Sequence, residues 1–135
     1  MKRLLLLAGA ALLPYLPAAG ADTKTGANAA DLPGKGTLAA SIYRGAIAYN
    51  HYCVLCHGLK ADGTGRAAKL YNPKPANLVM SDKNDQYKEL IIRRGGKALG
   101  RSEFMPAWGE ELTDEQVTDL VAYLRTIRSP SVQDN

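Results

Sequence analysis

Five consecutive residues, Cys53-Val54-Leu55-Cys56-His57, contain the only two cysteines of this 135-residue chain. On one helical turn, positions i, i+3 and i+4 share a face. The spacing therefore aims two thiols and one imidazole at the same place. A C-x-x-C-H run of this kind is the attachment signature of a c-type haem, with thioethers from Cys53 and Cys56 to the vinyl groups and His57 on the iron. A slip of one residue would spoil all three contacts.

Other uses of the same residues fit less well. A redox disulfide of the thioredoxin type expects a βαβ setting, and no convincing strand pattern precedes Cys53. A zinc site built from Cys53, Cys56, His51 and His57 would lack the usual second ligand pair, well separated in sequence. A structural disulfide between Cys53 and Cys56 would close a very small loop.

The N-terminus agrees with haem attachment after export. Lys2 and Arg3 precede an apolar run over 4–13, then Pro14, Pro17 and small residues, and Ala19-Gly20-Ala21 has the A-x-A form of a cleavage site. Residues 1–21 read as a signal peptide, leaving Asp22 as the new N-terminus in a bacterial periplasm. The alternative is a retained anchor, but the run is short for a span and prolines interrupt its end. After cleavage no stable membrane span is expected, and the remaining chain suffices for one small domain.

Charge excludes less than it suggests. The formal net charge is +4; loss of Lys2 and Arg3 with the leader lowers it to +2, and the two haem propionates bring it near zero. No Lys/Arg run with interleaved aromatics is present, so nucleic acid is not an expected partner. Arg93, Arg94, Lys97 and Arg101 gather before Met105, and Glu110, Glu111, Asp114 and Glu115 follow it. These read either as two solvated faces or as a dipolar docking surface that steers a charged redox partner.

Residues 22–37 are rich in Gly, Ala and Thr and read as a flexible tail, with the folded domain over 38–135. A first helix is predicted over 38–50, with Ile42, Ala46 and Tyr49 as its core stripe. Gly45 stands mid-helix at a cost of about 1 kcal/mol against Ala, which a closely crossing helix would explain. Residues 58–77 read as loop because of Asp62-Gly63-Thr64-Gly65, Pro73 and Pro75. A middle helix over 85–94 carries Tyr87, Leu90 and Ile91 and ends at Gly95-Gly96, and a second loop covers 97–112. The last helix opens at Thr113 with Gln116 at the capping-box position. Val117, Leu120, Val121, Leu124 and Ile127 line its apolar face, and Pro130 closes it.

A six-coordinate iron needs a ligand opposite His57. Met80, Met105 and His51 are the candidates. His51 shares the local segment of Cys53 and reads as a surface residue. Met80 is either packing or ligand, flexible core filler being the ordinary use of Met. Met105 is preferred because Pro106 holds it extended in a loop long enough to cross the haem face. Trp108 can then pack on the ring edge, with its indole N–H near a propionate.

In order along the chain, Gly45-x-x-x-Tyr49, the motif through Gly58, Pro75-x-Asn77-Leu78, Met105-Pro106 and Tyr123 resemble a class I c-type cytochrome, the small monohaem carriers of bacteria. The resemblance covers about 38–128. It implies an all-α cytochrome c fold of three to four helices around one covalent haem c. The first and last helices would cross at Gly45, Tyr49 and Tyr123, with Leu78 packed on the haem. The family also has a proline carbonyl that accepts the ring N–H of the haem-ligating His; Pro75 is the match, with Pro73 the alternative. The 58–74 stretch is longer than in the most compact members. His57/Met105 ligation leaves no open iron site, so electron transfer between redox partners is expected rather than catalysis. Such partners are a periplasmic dehydrogenase, a reductase or a membrane cytochrome complex, and the protein would be a monomer or a subunit of a complex. The alternatives are a dedicated haem c subunit of a periplasmic oxidoreductase and a catalytic or gas-binding haem protein.

Overall fold

Helix α1, Leu38–Tyr52, starts where Thr37 accepts a hydrogen bond from the Ala40 N–H at 3.1 Å. A computed structural model describes residues 34–133; the leader over 1–21 and the tail up to residue 33 lie outside the described residues. The chain passes from α1 through Cys53 into the short helix α2, Val54–His57, which Gly58 ends at φ +83°. Helix α3, Asp85–Arg94, has the predicted bounds, with Asn84 capping its N-terminus and Gly95 its C-terminus. Helix α4, Asp114–Thr126, carries the full capping box between Thr113 and Gln116. Both predicted loops hold a single 3-10 turn, Ala68–Leu70 and Lys97–Leu99.

Two boundaries differ from expectation. Helix α1 runs two residues further than predicted and leads straight into the motif. Pro130 does not close α4, which has already ended. It opens a last short helix, α5, Pro130–Gln133, at a first-turn position where a missing N–H goes unnoticed. No strand occurs among the described residues, so the fold is all-α, as expected.

The core forms where α1 crosses α4. A Cβ on Gly45 would lie 1.9 Å from the Asp119 carbonyl oxygen and 2.8 Å from Tyr123 Cβ. The rings of Tyr49 and Tyr123 meet at 5.3 Å. The buried residues of α1 are Ala40, Gly45, Ala48 and Tyr49, while Ile42 and Ala46 of the predicted stripe are only half-buried. Close backbone approach explains this at Gly45, where the crossing leaves no room for a side chain, while Tyr49 is buried beside it against Tyr123. Helix α4 buries Val117, Leu120, Val121 and Leu124 as predicted, and Ile127 packs partly against the same core.

The crossing also carries a polar clamp. Asp119 is 2 % exposed and accepts from Ser41 Oγ at 2.5 Å and from Arg44 Nε at 2.6 Å. A buried carboxylate is tolerable only with such partners.

Candidate functional site

A cavity of about 700 Å³ opens between the motif, α3 and the loops on either side of α3. This is the size of a cofactor pocket, typically ~300–1,000 Å³. Leu55, Leu78, Ile91, Ile92, Leu120 and Leu124 supply apolar walls. Cys53, Cys56 and His57 line it, as do Pro75, Leu78, Met105 and Trp108. Met80 does not; its side chain is 55 % exposed. His51 is also exposed, and its ring contacts Tyr52.

The motif is held from both ends. On the α1 side, Tyr49 donates its hydroxyl to the Gly58 carbonyl at 2.7 Å. On the other side, the Gly63, Gly65 and Ala67 N–H groups donate to the carbonyls of His57, Cys56 and Leu55, at 2.9, 3.1 and 3.0 Å. These are C-terminal carbonyls of a four-residue helix, which has few partners of its own. A Cβ on Gly65 would lie 2.4 Å from the Leu55 carbonyl oxygen, so only glycine lets the loop come this close.

The ring of His57 is oriented by Ala76, whose carbonyl oxygen lies 3.0 Å from Nδ1. A carbonyl only accepts, so Nδ1 carries the proton and Nε2 keeps its lone pair. Burial lowers the His57 pKa, with the Ala76 bond opposing it, and the neutral form is the one that ligates metal. The expected acceptor was Pro75. Its carbonyl instead faces Gly63, where a Cβ would approach it to 2.5 Å. Successive carbonyls of an extended segment point to different sides, so the next residue takes the role.

Cys53 and Cys56 are both free. Burial, then repulsion from Cys56, pushes the Cys53 thiol up to about 12, the opposite of a reactive redox thiolate. Among the described residues no three His, Cys, Asp or Glu side chains are placed to hold a metal ion on their own.

The loop bearing Met105 is docked on the end of α3. Gly96 donates its N–H to the Met105 carbonyl at 2.9 Å, and Trp108 donates its N–H to Ile92 at 2.9 Å. Gly95 and Gly96 do more than end a helix. A Cβ on Gly95 would fall 2.8 Å from the Ala107 nitrogen, and one on Gly96 would fall 2.1 Å from the Ser102 carbonyl oxygen. The Trp108 ring meets Tyr52 edge-on at 5.4 Å, which ties this loop back to α1.

The two charge clusters are partly spent inside the protein. Arg93 pairs with Asp114 at 2.6 Å and with Glu89 at 3.0 Å; Glu115 pairs with Arg44 at 3.1 Å. Arg101 donates to the Tyr87 hydroxyl at 3.1 Å. Arg94, Lys97, Glu110 and Glu111 remain exposed. Sequence reasoning missed Ala76, because a backbone acceptor has no side-chain signature. It also missed Lys88, which is buried and lines the cavity; a lysine in a helix ordinarily faces solvent.

These residues fit a covalently attached haem: two free thiols and a neutral imidazole with an available Nε2 border one apolar cavity of suitable size. No curated protein matches the chain. Residues 40–124 match the sequence model of a family described as Cytochrome C oxidase, cbb3-type, subunit III. That match takes in both cysteines, His57, Met105 and the α1–α4 crossing, and it implies a covalently bound haem c and haem-based electron transfer. The chain belongs to this family and is a class I c-type cytochrome.

Proposed function

We propose that this chain is a periplasmic electron carrier with one haem c, attached through Cys53 and Cys56 and ligated axially by His57 and Met105. The observation that carries the reading is that His57 and Met105 line one cavity with both thiols, whereas Met80 is exposed and outside its walls. Haem, when bound, supplies the one-electron Fe(II)/Fe(III) couple. The side chains do the rest. His57 offers Nε2 in a fixed orientation because Ala76 holds Nδ1–H. Met105 offers a thioether, a donor that favours the reduced state and raises the potential. The apolar wall disfavours the extra charge of the oxidised state in the same direction.

With His57 and Met105 both holding the haem iron, neither substrate nor oxygen would have a place on it. The protein is then a carrier rather than an enzyme, and its partners are a periplasmic dehydrogenase, a reductase or a membrane cytochrome complex. Export rests on the leader over 1–21. Among the described residues no helix is long and apolar enough to cross a membrane.

One observation favours a second reading, a dedicated haem subunit of an oxidoreductase complex: the matched family is described by a subunit of an oxidase. Stoichiometric co-purification with a membrane complex would support it, and a free monomer in the periplasmic fraction would support the carrier.

Acid–acetone extraction tests covalent attachment: the haem should stay with the chain, and its release would contradict the proposal. Carbon monoxide added to the reduced protein should bind slowly or not at all. Rapid binding would mean an open site and a catalytic or gas-binding role.

A further inference from the structure

Lys88 is 6 % exposed, and its ammonium has no hydrogen-bond partner. Asp85 Oδ1 stands 3.6 Å away, within ion-pair range but beyond hydrogen-bond reach, and Arg125 holds the other oxygen of the same carboxylate. Among the described residues, the other charged groups that act on Lys88 are Arg125 and Arg128, both cations. At this corner between α3 and the end of α4, Lys88 and Arg125 therefore share the single carboxylate of Asp85. A buried ammonium in such surroundings needs a second anion.

The cavity is where that anion would stand, since Lys88 lines it. The other charged groups on the cavity wall do not supply it. Asp82 is engaged by Lys83 at 2.6 Å, while Lys74 and Arg101 are cations. The remaining polar side chains nearby, Ser81, Ser102 and Tyr87, carry no charge. A haem is apolar except for its two carboxylates, which are anions at neutral pH.

We infer that the Lys88 ammonium is the counter-ion of one haem carboxylate, and so holds that carboxylate at the α3–α4 corner of the cavity. The inference rests on the haem reading above. Lys88 is in this sense a positioning residue. With Cys53 and Cys56 holding the haem covalently, Lys88 would hold one of its carboxylates in place from the α3 side of the same cavity. The charge that burial would otherwise disfavour on Lys88 is then neutralised from the cavity side.

The test is a pH titration of the reduced protein by NMR, with the haem carboxylates labelled with carbon-13. A neighbouring ammonium favours the ionised carboxylate and lowers its pKa. In the native protein one carboxylate should therefore stay ionised to lower pH than the other. In Lys88→Met that carboxylate alone should titrate at higher pH, and Lys88→Arg should restore it. Two carboxylates that titrate together in the native protein would overturn the inference, as would a Lys88→Met titration identical to the native one. If Lys88→Met does not accumulate, Lys88→Gln takes its place, with the same rise for that one carboxylate expected and an unchanged titration overturning the inference. Failure of the haem reading is distinguished beforehand, because the label would then leave the chain on acid–acetone extraction.

Discussion

His57 Nδ1 and the Ala76 carbonyl oxygen stand 3.0 Å apart, across 19 positions of sequence. The bond makes the His57 ring part of the 58–77 loop as much as of α2. Gly63 is the hinge of this arrangement. It adopts φ +82° and leaves a gap into which a Cβ would bring a contact of 2.5 Å with the Pro75 carbonyl. Gly63→Ala should cost about 1–3 kcal/mol from backbone strain, read by urea unfolding of the haem-loaded protein. It should also raise the reduction potential, because a loosened Nδ1 bond leaves a less basic imidazole. Unchanged potential and stability would mean that the loop does not hold the ring.

The α1–α4 crossing should tolerate no side chain at Gly45. Alanine would gain about 1 kcal/mol of helix propensity, yet its Cβ would meet the Asp119 backbone oxygen at 1.9 Å. Backbone cannot rotate away as a side chain can, so the clash should win. Gly45→Ala is expected to lose roughly 1–3 kcal/mol net, as overpacked cores do, and Gly45→Val more. A denaturation midpoint equal to the native one for Gly45→Ala would show that the helices slide apart freely.

Acid should weaken the loop that caps the motif. Asp62 Oδ1 accepts from the Thr64 hydroxyl at 2.5 Å and from the Thr64 N–H at 3.0 Å. These bonds, the hydroxyl first, hold the Asp62 carboxyl below its ordinary value of 3.8. A folded value below the unfolded one means a contribution fully present above the ordinary value and lost as pH falls through the folded one. Asp62→Ala should therefore be less stable than the native protein at neutral pH, with the gap closing in acid. A gap that persists in acid would assign the effect to packing instead.

Much of this was legible in the sequence, and the reasons differ by element. Helix α4 announces itself through Thr113, Gln116 and an uninterrupted apolar stripe, all local signals. Helix α3 is bounded by Asn84 and Gly95, again local. The cavity residues Cys53, Cys56, His57, Met105 and Trp108 could be named because their chemistry is tied to short motifs. What was not legible depends on contacts between distant segments. The buried faces of α1 and α3 follow from what crosses them, so Ala48 is buried while Ile42 is half-exposed and Leu90 is exposed. Asp119 is buried because Ser41 and Arg44 meet it 78 and 75 positions away. Ala76 replaces Pro75 because backbone direction decides which carbonyl faces a ring.

The central claim is that Met105, and not Met80, closes the iron site opposite His57. The most direct measurement is the far-red sulfur-to-iron charge-transfer band of the oxidised protein in three forms: native, Met80→Ala and Met105→Ala. The account predicts the band in the native protein and in Met80→Ala, and its loss in Met105→Ala with the covalent haem retained. A band that survives Met105→Ala and disappears in Met80→Ala would contradict it.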